Sequence, residues 1–567
     1  MAQTSLSRWS LRLLSGWKRL QVSYYGGKYS IHRLLALEDY TRNASLYRVL
    51  FVCIGTPLPM VIFVSAQALV PLQEPSEGWK ANFGFWIRSA ILSFVVAHTL
   101  TNQATYFIDS LEISPVRLVL LSCSSSILFS LMAAAISAGL IFPVPFFVLT
   151  LSPVFYVALV ISYRMTLGAT KVRGMLQRRD QLIVYVSFVL AQNAMVFTYP
   201  AYETLFRVAK GSYYQLPVIL LLPIIKVAVK NLVLRSVSIM EDMLPEAVIF
   251  TVDFFNAVYV ATCMQSASSA TTIIALTVTD LSQTVIMIYG LNNRTATILS
   301  RLGQLVNASK NQNIVHLLCI LCRDSEKYSR QFRSNIQIHS CLPQTLNTMD
   351  QELLKRLETV PSTLEQAFGI IKLPSSPSVQ NITPIPTVKH NIRSVLVQGR
   401  IHPLDCDPPP PVQSRTTDSQ KVTHRLNHRA VLRESLEILF TTECIVATAY
   451  LEAIVPFFYC CYMLVMVHLS SARYHTEMAE VTVENVGSTI LPVFIFGLLQ
   501  IASFILLAVV IKRNCGVKMM YQLAFVLETQ MALIQGKLIF WVLVTLCFRV
   551  VHFGKSGPFP YFMFFLS

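Results

Sequence analysis

Charged side chains are scarce in this chain. They make up 13% of its 567 residues, against roughly 25% in soluble globular proteins. Acidic residues are the rarer kind, with 30 Asp and Glu beside 46 Lys and Arg. Hydrophobic residues account for 53%, and the mean hydropathy is +0.53. This composition excludes a soluble globular protein, because most of the surface must face lipid instead of water.

Several other signatures are also missing. The 12 cysteines are scattered, and several lie within apolar runs, so they predict packing and not a disulfide framework. No Walker loop, HExxH, GxSxG or GxGxxG motif occurs in a supporting context, and no nucleophile–base set is visible. The net charge of +16 is not gathered into a basic patch with stacking aromatics. We therefore predict no enzymatic activity, no cofactor and no nucleic-acid partner.

Long apolar runs are abundant. Ten or eleven of them lie between Leu50 and Phe553, each with the about 20 helical residues that cross a bilayer. Backbone groups in lipid find no water, so these runs must be helices. The sequence predicts an all-α polytopic membrane protein, a bundle of about 10–11 transmembrane helices with a long cytoplasmic loop. The predicted spans are 50–70, 86–108, 116–142, 146–167, 182–202, 216–234, 246–264, 271–290, 436–468, 490–511 and 533–553.

The chain divides into four parts. The predicted parts are a basic amphipathic cytoplasmic N-terminus (1–48), spans 1–8 (49–290), a partly disordered cytoplasmic loop (291–433) and spans 9–11 (434–567). Lys and Arg are concentrated in the N-terminus, the long loop and the loops on the same side, which the positive-inside rule assigns to the cytoplasm. The Pro-rich stretch 373–412 is too polar to fold. Eleven spans then leave the short C-terminus outside.

The N-terminus alternates apolar and basic residues, as at Trp9, Arg12 and Trp17. This pattern predicts a helix that lies on the anionic lipids of a plasma membrane or endomembrane. A mitochondrial transit peptide has the same composition, and a disordered tail is the third alternative.

Polar groups within spans are informative, because an ionisable residue at the centre of a transmembrane helix costs roughly 2.5–3.5 kcal/mol by insertion scales. Span 2 carries His98, Asn102 and Asp109 on one helix face. Span 5 carries Gln192 and Asn193. Each group predicts either a hydrated path or hydrogen bonds between helices.

Spans 6–8 hold Lys226, Asp253, Asn256 and Asp280. Lys226 and Asp253 are expected at similar depth in the membrane, so we predict that they form an ion pair. Asp280 is expected at the same depth as Asn256, across the hairpin of spans 7 and 8. The group predicts either a site for a coupling ion or proton, or a structural ion pair with helix caps.

Span 9 has the sharpest pattern. Glu443 and Glu452 are nine residues apart, about 180° around a helix, so neither avoids lipid unless protein surrounds the helix. Pro456 leaves the carbonyl of Glu452 without its usual donor and permits a kink. We predict that span 9 is a central helix. Its carboxyls either line a polar path or are satisfied by hydrogen bonds in a helix that serves only packing.

The long loop contains residue types that zinc sites use: His316, Cys319, Cys322, His339 and Cys341. Interleaved Leu and Ile put the first three on an apolar helix face, so we predict no metal site.

The segment Leu436–Phe440, continuing to Tyr450–Pro456, resembles a large group of uncharacterised multi-pass membrane proteins of oomycetes. The resemblance implies the same layout, in which N-terminal spans, a long cytoplasmic loop and a terminal set with this glutamate-rich helix follow one another. It implies no activity. Around Glu443, where a histidine and a tyrosine are often expected, this chain has Thr442 and Cys444.

These patterns predict a transporter- or channel-like protein whose polar groups in spans 2, 6–8 and 9 line a path. The alternative is a receptor or scaffold whose 291–433 loop binds protein partners. A membrane-embedded enzyme ranks third.

Overall fold

The structure is a computed structural model. It describes residues 27, 29–109, 111–209, 211–212, 214–237, 241–243, 245–267, 270–306, 313–324, 336–342, 344, 346–359 and 431–554. The predicted N-terminal basic helix around Trp9 to Trp17 and the Pro-rich stretch 373–412 lie outside these residues.

The described part of the chain is built from helices and contains no β-strand. The helices of ten or more residues are α1 (Ile31–Asn43), α2 (Leu46–Gly55), α3 (Leu58–Leu69), α4 (Phe83–Phe107), α5 (Pro115–Gly139), α6 (Ser152–Gln177), α7 (Arg179–Val208), α8 (Gln215–Val237), α9 (Phe254–Ser266), α10 (Ala270–Val306), α11 (Ile314–Arg323), α12 (Thr348–Thr359), α13 (Val431–Met466), α14 (Val486–Cys515), α15 (Met519–Thr529) and α16 (Met531–Cys547). A π-helix, Pro245–Asp253, leads directly into α9.

Among the described residues, ten helical segments are long and apolar enough to cross a membrane, and α15 with α16 makes an eleventh that is bent by 82°. The pairs α2–α3 and π-helix–α9 each count as one segment. The predicted fold class is confirmed: the chain is an all-α polytopic membrane protein.

Local sequence explains where helices break. Pro57 follows the end of α2, and α3 begins at Leu58, because proline cannot donate to the preceding turn. Gly168 interrupts α6 with a φ of 82°, which glycine adopts without steric cost. The left-handed Gly516 ends α14, and its N–H bonds to the carbonyl of Lys512 at 3.1 Å.

Two segments form the centre of the bundle. In Ala247–Ser266, every residue of the most apolar 18-residue stretch is buried. In Val431–Met466, 83% of the corresponding stretch is buried. The corresponding share is only 28% for Ser152–Gln177 and Val486–Cys515, whose apolar side chains face outward, as they do in lipid. The prediction that span 9 is a central helix is confirmed, and span 7 lies beside it.

Part of the predicted cytoplasmic segments is folded onto the bundle. Helix α1 buries Ile31, Leu34 and Leu35 and packs against the strongly amphipathic α11. The backbone N–H of Ile31 donates to the carbonyl of Gln337 at 3.1 Å. The described end of the 1–48 segment is therefore packed against protein, and it lies on the same side as residues 337–338 of the loop. Helix α10 continues past the predicted span end at 290 and ends at Val306.

Candidate functional site

A charged network lies where the π-helix, α8 and α13 meet. Lys226 Nζ lies 3.0 Å from Glu452 Oε1 and 3.7 Å from Asp253 Oδ1. Lys230, one turn further along α8, contacts both Asp253 oxygens at 2.9 and 2.8 Å. All four side chains are at least nine-tenths buried. The predicted Lys226–Asp253 pair is present, but the shorter contacts join Lys226 to Glu452 and Lys230 to Asp253.

The π-helix helps to present Asp253, which is its last residue. Hydrogen bonds from i to i+5 widen the turn, and such segments occur often at functional sites. The Asp253 carboxylate also accepts a hydrogen bond from the Thr448 hydroxyl at 2.7 Å. Asp253 is therefore held by donors from both α8 and α13.

Asp280 lies beside this network on α10. Its carboxylate accepts a hydrogen bond from the side-chain amide of Gln500 on α14. Within the described part of the chain, no Lys, Arg or His lies at ion-pair distance from it. Asn256 and Asp280 line one small cavity, in agreement with the depth predicted for them.

An arginine from helix α1 forms a buried ion pair near one end of the two central segments. Arg33 Nη2 lies 2.6 Å from Glu443 Oε1, and both side chains are 1% exposed. Arg33 also donates to the backbone carbonyl of Asp242 at 2.7 Å and lies over the rings of Tyr29 and Phe525. Protein thus surrounds both Glu443 and Glu452, as predicted.

A second buried arginine pair lies at the other end. Arg549 Nη1 lies 2.7 Å from Glu477 Oε2, and both side chains are again 1% exposed. Arg549 donates to the Thr262 hydroxyl at 2.5 Å and lies over the Tyr259 ring. The Gln265 amide on α9 donates to the Glu477 carbonyl at 3.0 Å.

The two central segments run parallel, which fixes the order of these clusters. Asp253 meets Thr448 and Gln265 meets Tyr459, so residue numbers rise together along both. Glu443 precedes Glu452 by nine residues, about 13 Å of helix, and Thr262 follows Asp253 by the same interval. The charged network therefore lies between the two arginine pairs.

His475 and Arg88 lie near the second pair. Burial, together with the nearby guanidinium groups of Arg88 and Arg549, lowers the pKa of His475 to about 3. The imidazole is therefore neutral at physiological pH, and its Nδ1 lies 3.2 Å from the Tyr462 hydroxyl. Arg88 donates to the carbonyls of Ala68 and Val70 at the C-terminal end of α3.

The predicted stripe in span 2 does not join this site. His98 and Asn102 are only partly buried, and Asp109 lies outside α4, which ends at Phe107. The Asp109 carboxylate bonds to Gln181 at 2.6 Å and lies 3.4 Å from Arg178. A charged group gains more from these exposed partners than from a place within the apolar span.

The span-5 amides form contacts between helices. Gln192 lies 3.5 Å from Gln103 on α4, and the Asn193 amide donates to the Tyr156 hydroxyl on α6 at 2.6 Å. These contacts match the packing interpretation of span 5.

The His and Cys residues that the structure describes in the long loop are not gathered into a metal centre. Cys319 and Cys322 are buried in α11, whereas His316 turns outward to Glu38 at 3.0 Å and His339 contacts Glu358. Among the described residues there is no group of three side chains that could hold a metal ion.

Sequence reasoning missed four charged members of the site: Arg33, Lys230, Glu477 and Arg549. Two signals were available. Lys230 follows Lys226 by four residues, on the same helix face, and Arg549 lies within the predicted last span. The role of Arg33 had no local signal, because its partner Glu443 is 410 residues away.

Comparisons of the chain with protein-family models, with curated proteins and with solved structures found no match. The resemblance of the span-9 segment to oomycete membrane proteins therefore stays a prediction.

Proposed function

We propose that this chain is a membrane transporter that moves a small ion or polar solute along the face shared by the π-helix, α9 and α13. The observation that supports this function best is the order of the charged groups. A network of ionisable side chains lies deep in the bundle, and a buried arginine–carboxylate pair flanks it on each side. In this interpretation the two pairs are gates, both closed.

Energetics favour a functional origin for this arrangement. Each charge taken from water into the bundle has a desolvation cost of several kcal/mol, and a well-packed apolar set is often as stable as a buried ion pair. A bundle that needed only stability would gain little from three such clusters. Intramembrane ionisable groups typically mark ion and substrate pathways.

The proposed orientation puts the Arg33 end in the cytoplasm. Helix α1 and the long loop share that end, and both belong to the basic segments that the positive-inside rule assigns to the cytoplasm.

Native cysteines allow a direct test, because a buried thiol neighbours each gate: Cys444 beside Glu443 and Cys263 beside Thr262. Arg33→Gln is expected to raise labelling of Cys444 by a membrane-impermeant maleimide at least tenfold from the N-terminal side, and to leave Cys263 unreacted. Glu477→Gln is expected to do the reverse. Site-resolved labelling is read by peptide mass spectrometry in sealed vesicles of both orientations.

Arg48→Gln is the matched control, because it breaks an exposed ion pair with Glu528 and leaves Arg33 intact. It should leave both cysteines unreactive. If both cysteines react in every variant, the substitutions unfold the bundle and the gates are rejected. If neither cysteine reacts in any variant, the clusters only hold the bundle together.

The last outcome would favour the second candidate, a receptor or scaffold. One observation supports it: α1, α11 and the backbone of residues 337–338 form a folded unit on one end of the bundle. Such a unit could couple partners of the 291–433 loop to the central helices through Arg33.

A further inference from the structure

The small cavity beside Asp280 has the chemistry of a cation site. It lies between α8, α9 and α10, and its polar lining consists of Asn256, Thr279, Asp280 and Gln283. Its volume is about 10 Å³, which is about the space that one water-sized particle needs. This space fits a single small particle.

Two of the residues that line this space carry an oxygen atom that lacks an expected hydrogen-bond donor. Asn256 is 3% exposed, and its side-chain oxygen has no hydrogen-bond partner within the described chain. Pro223, which also lines the cavity, has no N–H, so the carbonyl of Ile219 one turn earlier lacks its helical donor. A buried polar atom without a partner is costly, and a cation bound in this space would satisfy the Asn256 oxygen.

The charges around Asp280 also favour a cation. The groups that face it from the neighbouring helices are Lys226 on α8, Asp253 on the π-helix and Glu452 on α13, while α14 contributes the uncharged Gln500. With Lys230 bound to Asp253, two lysines stand beside three carboxylates. One added positive charge makes this set of five neutral.

We propose that Asp280 and Asn256 bind one sodium-sized monovalent cation. A single carboxylate with neutral oxygens suits such an ion, whereas calcium takes six to eight oxygen ligands and magnesium requires an octahedral shell. The cation would be the coupling ion of the transporter proposed above, so its role rests on that proposed function. The binding itself does not.

Thermal unfolding of the full-length protein in nanodiscs tests the site. Sodium chloride is titrated against choline chloride at constant ionic strength, at pH 8. We expect a saturable rise of Tm with sodium that choline does not reproduce. Asp280→Asn and Asn256→Ala should each weaken the apparent sodium affinity at least tenfold. Asp109→Asn, which removes an exposed carboxylate, should leave it unchanged.

Other outcomes overturn the proposal. These are an equal response to sodium and choline, or an undiminished sodium response in Asp280→Asn and Asn256→Ala. A Tm that rises on acidification to pH 6 with no sodium effect at either pH would assign Asp280 to a proton instead. If Asp280→Asn does not fold, Asn256→Ala and Gln283→Ala decide.

The thiol-labelling experiment separates this proposal from the proposed function. Sodium-specific stabilisation with both gate cysteines unreactive in all variants would keep the cation site and reject the transport path. Labelling of the gate cysteines without stabilisation by sodium would keep the transport path and reject the cation site.

Discussion

The charged network makes a quantitative prediction about which pairs are coupled. At an effective dielectric constant of 20, unit charges at the 2.8 Å of Lys230–Asp253 attract by about 6 kcal/mol, and at the 3.7 Å of Lys226–Asp253 by about 4.5 kcal/mol. Desolvation offsets most of this attraction in the intact network. Removal of one member leaves its partners buried and unpaired, which typically costs about 3–5 kcal/mol.

Asp253→Asn is therefore expected to lower the free energy of unfolding by about 3–5 kcal/mol. Lys230→Met should cost a similar amount, and the double variant should recover part of the loss. The coupling energy of Lys230 with Asp253 should exceed that of Lys226 with Asp253 by about 1 kcal/mol. Lys226 should couple more strongly to Glu452, at 3.0 Å.

Denaturant unfolding in mixed micelles measures these energies, with a thiol-reactive dye that reports exposure of the buried native cysteines. The control is the exposed i,i+4 pair Arg433–Glu437 on the same helix α13, for which a coupling of at most about 0.5 kcal/mol is expected. Equal coupling of both lysines to Asp253, or none above the control pair, would refute the reasoning from distances.

Three further predictions concern other regions. His475 has a pKa of about 3 in the folded state, against an ordinary 6.5, so the unfolded chain binds more protons between these two values. The free energy of unfolding should therefore fall by about 1.4 kcal/mol per pH unit as the pH drops through this window. His475→Gln should remove this slope in matched pH titrations. Gly497→Ala puts a methyl group 3.0 Å from the Phe457 ring and should lower stability by about 1–3 kcal/mol, whereas Gly487→Ala on the same helix meets nothing within 4 Å and should not. Protease added to sealed vesicles should cleave the N-terminus and the 373–412 stretch from the same side; cleavage from opposite sides would contradict the docking of α1 on the loop.

Most of the fold was predictable because it follows from the solvent. Apolar runs of span length must be helical in lipid, so the number and approximate position of the membrane helices can be read from the sequence. The bounds were less predictable. Helix α10 continues to Val306 through polar residues, since hydrogen bonding within a helix does not stop where the membrane does.

The central position of α13 was also predictable, from Glu443 and Glu452 alone. Carboxyls on opposite faces of one helix require protein on both sides. The same reasoning selects Lys226 and Asp253 as buried groups that need partners. It does not say which of several partners each group takes, because that depends on differences of less than 1 Å between the contact distances of side chains on neighbouring helices.

Sequence by itself thus determined that this protein spans a membrane as an all-helical bundle and which polar side chains its interior must satisfy. Only the tertiary structure decided how they are satisfied. It brings Arg33 to Glu443 across 410 residues and places Arg549 beside Glu477. It also orders the two arginine pairs on either side of the network. The physical reason is that local sequence fixes the cost of burying a charge, whereas the partner that offsets the cost arrives from a distant helix whose packing no local pattern encodes.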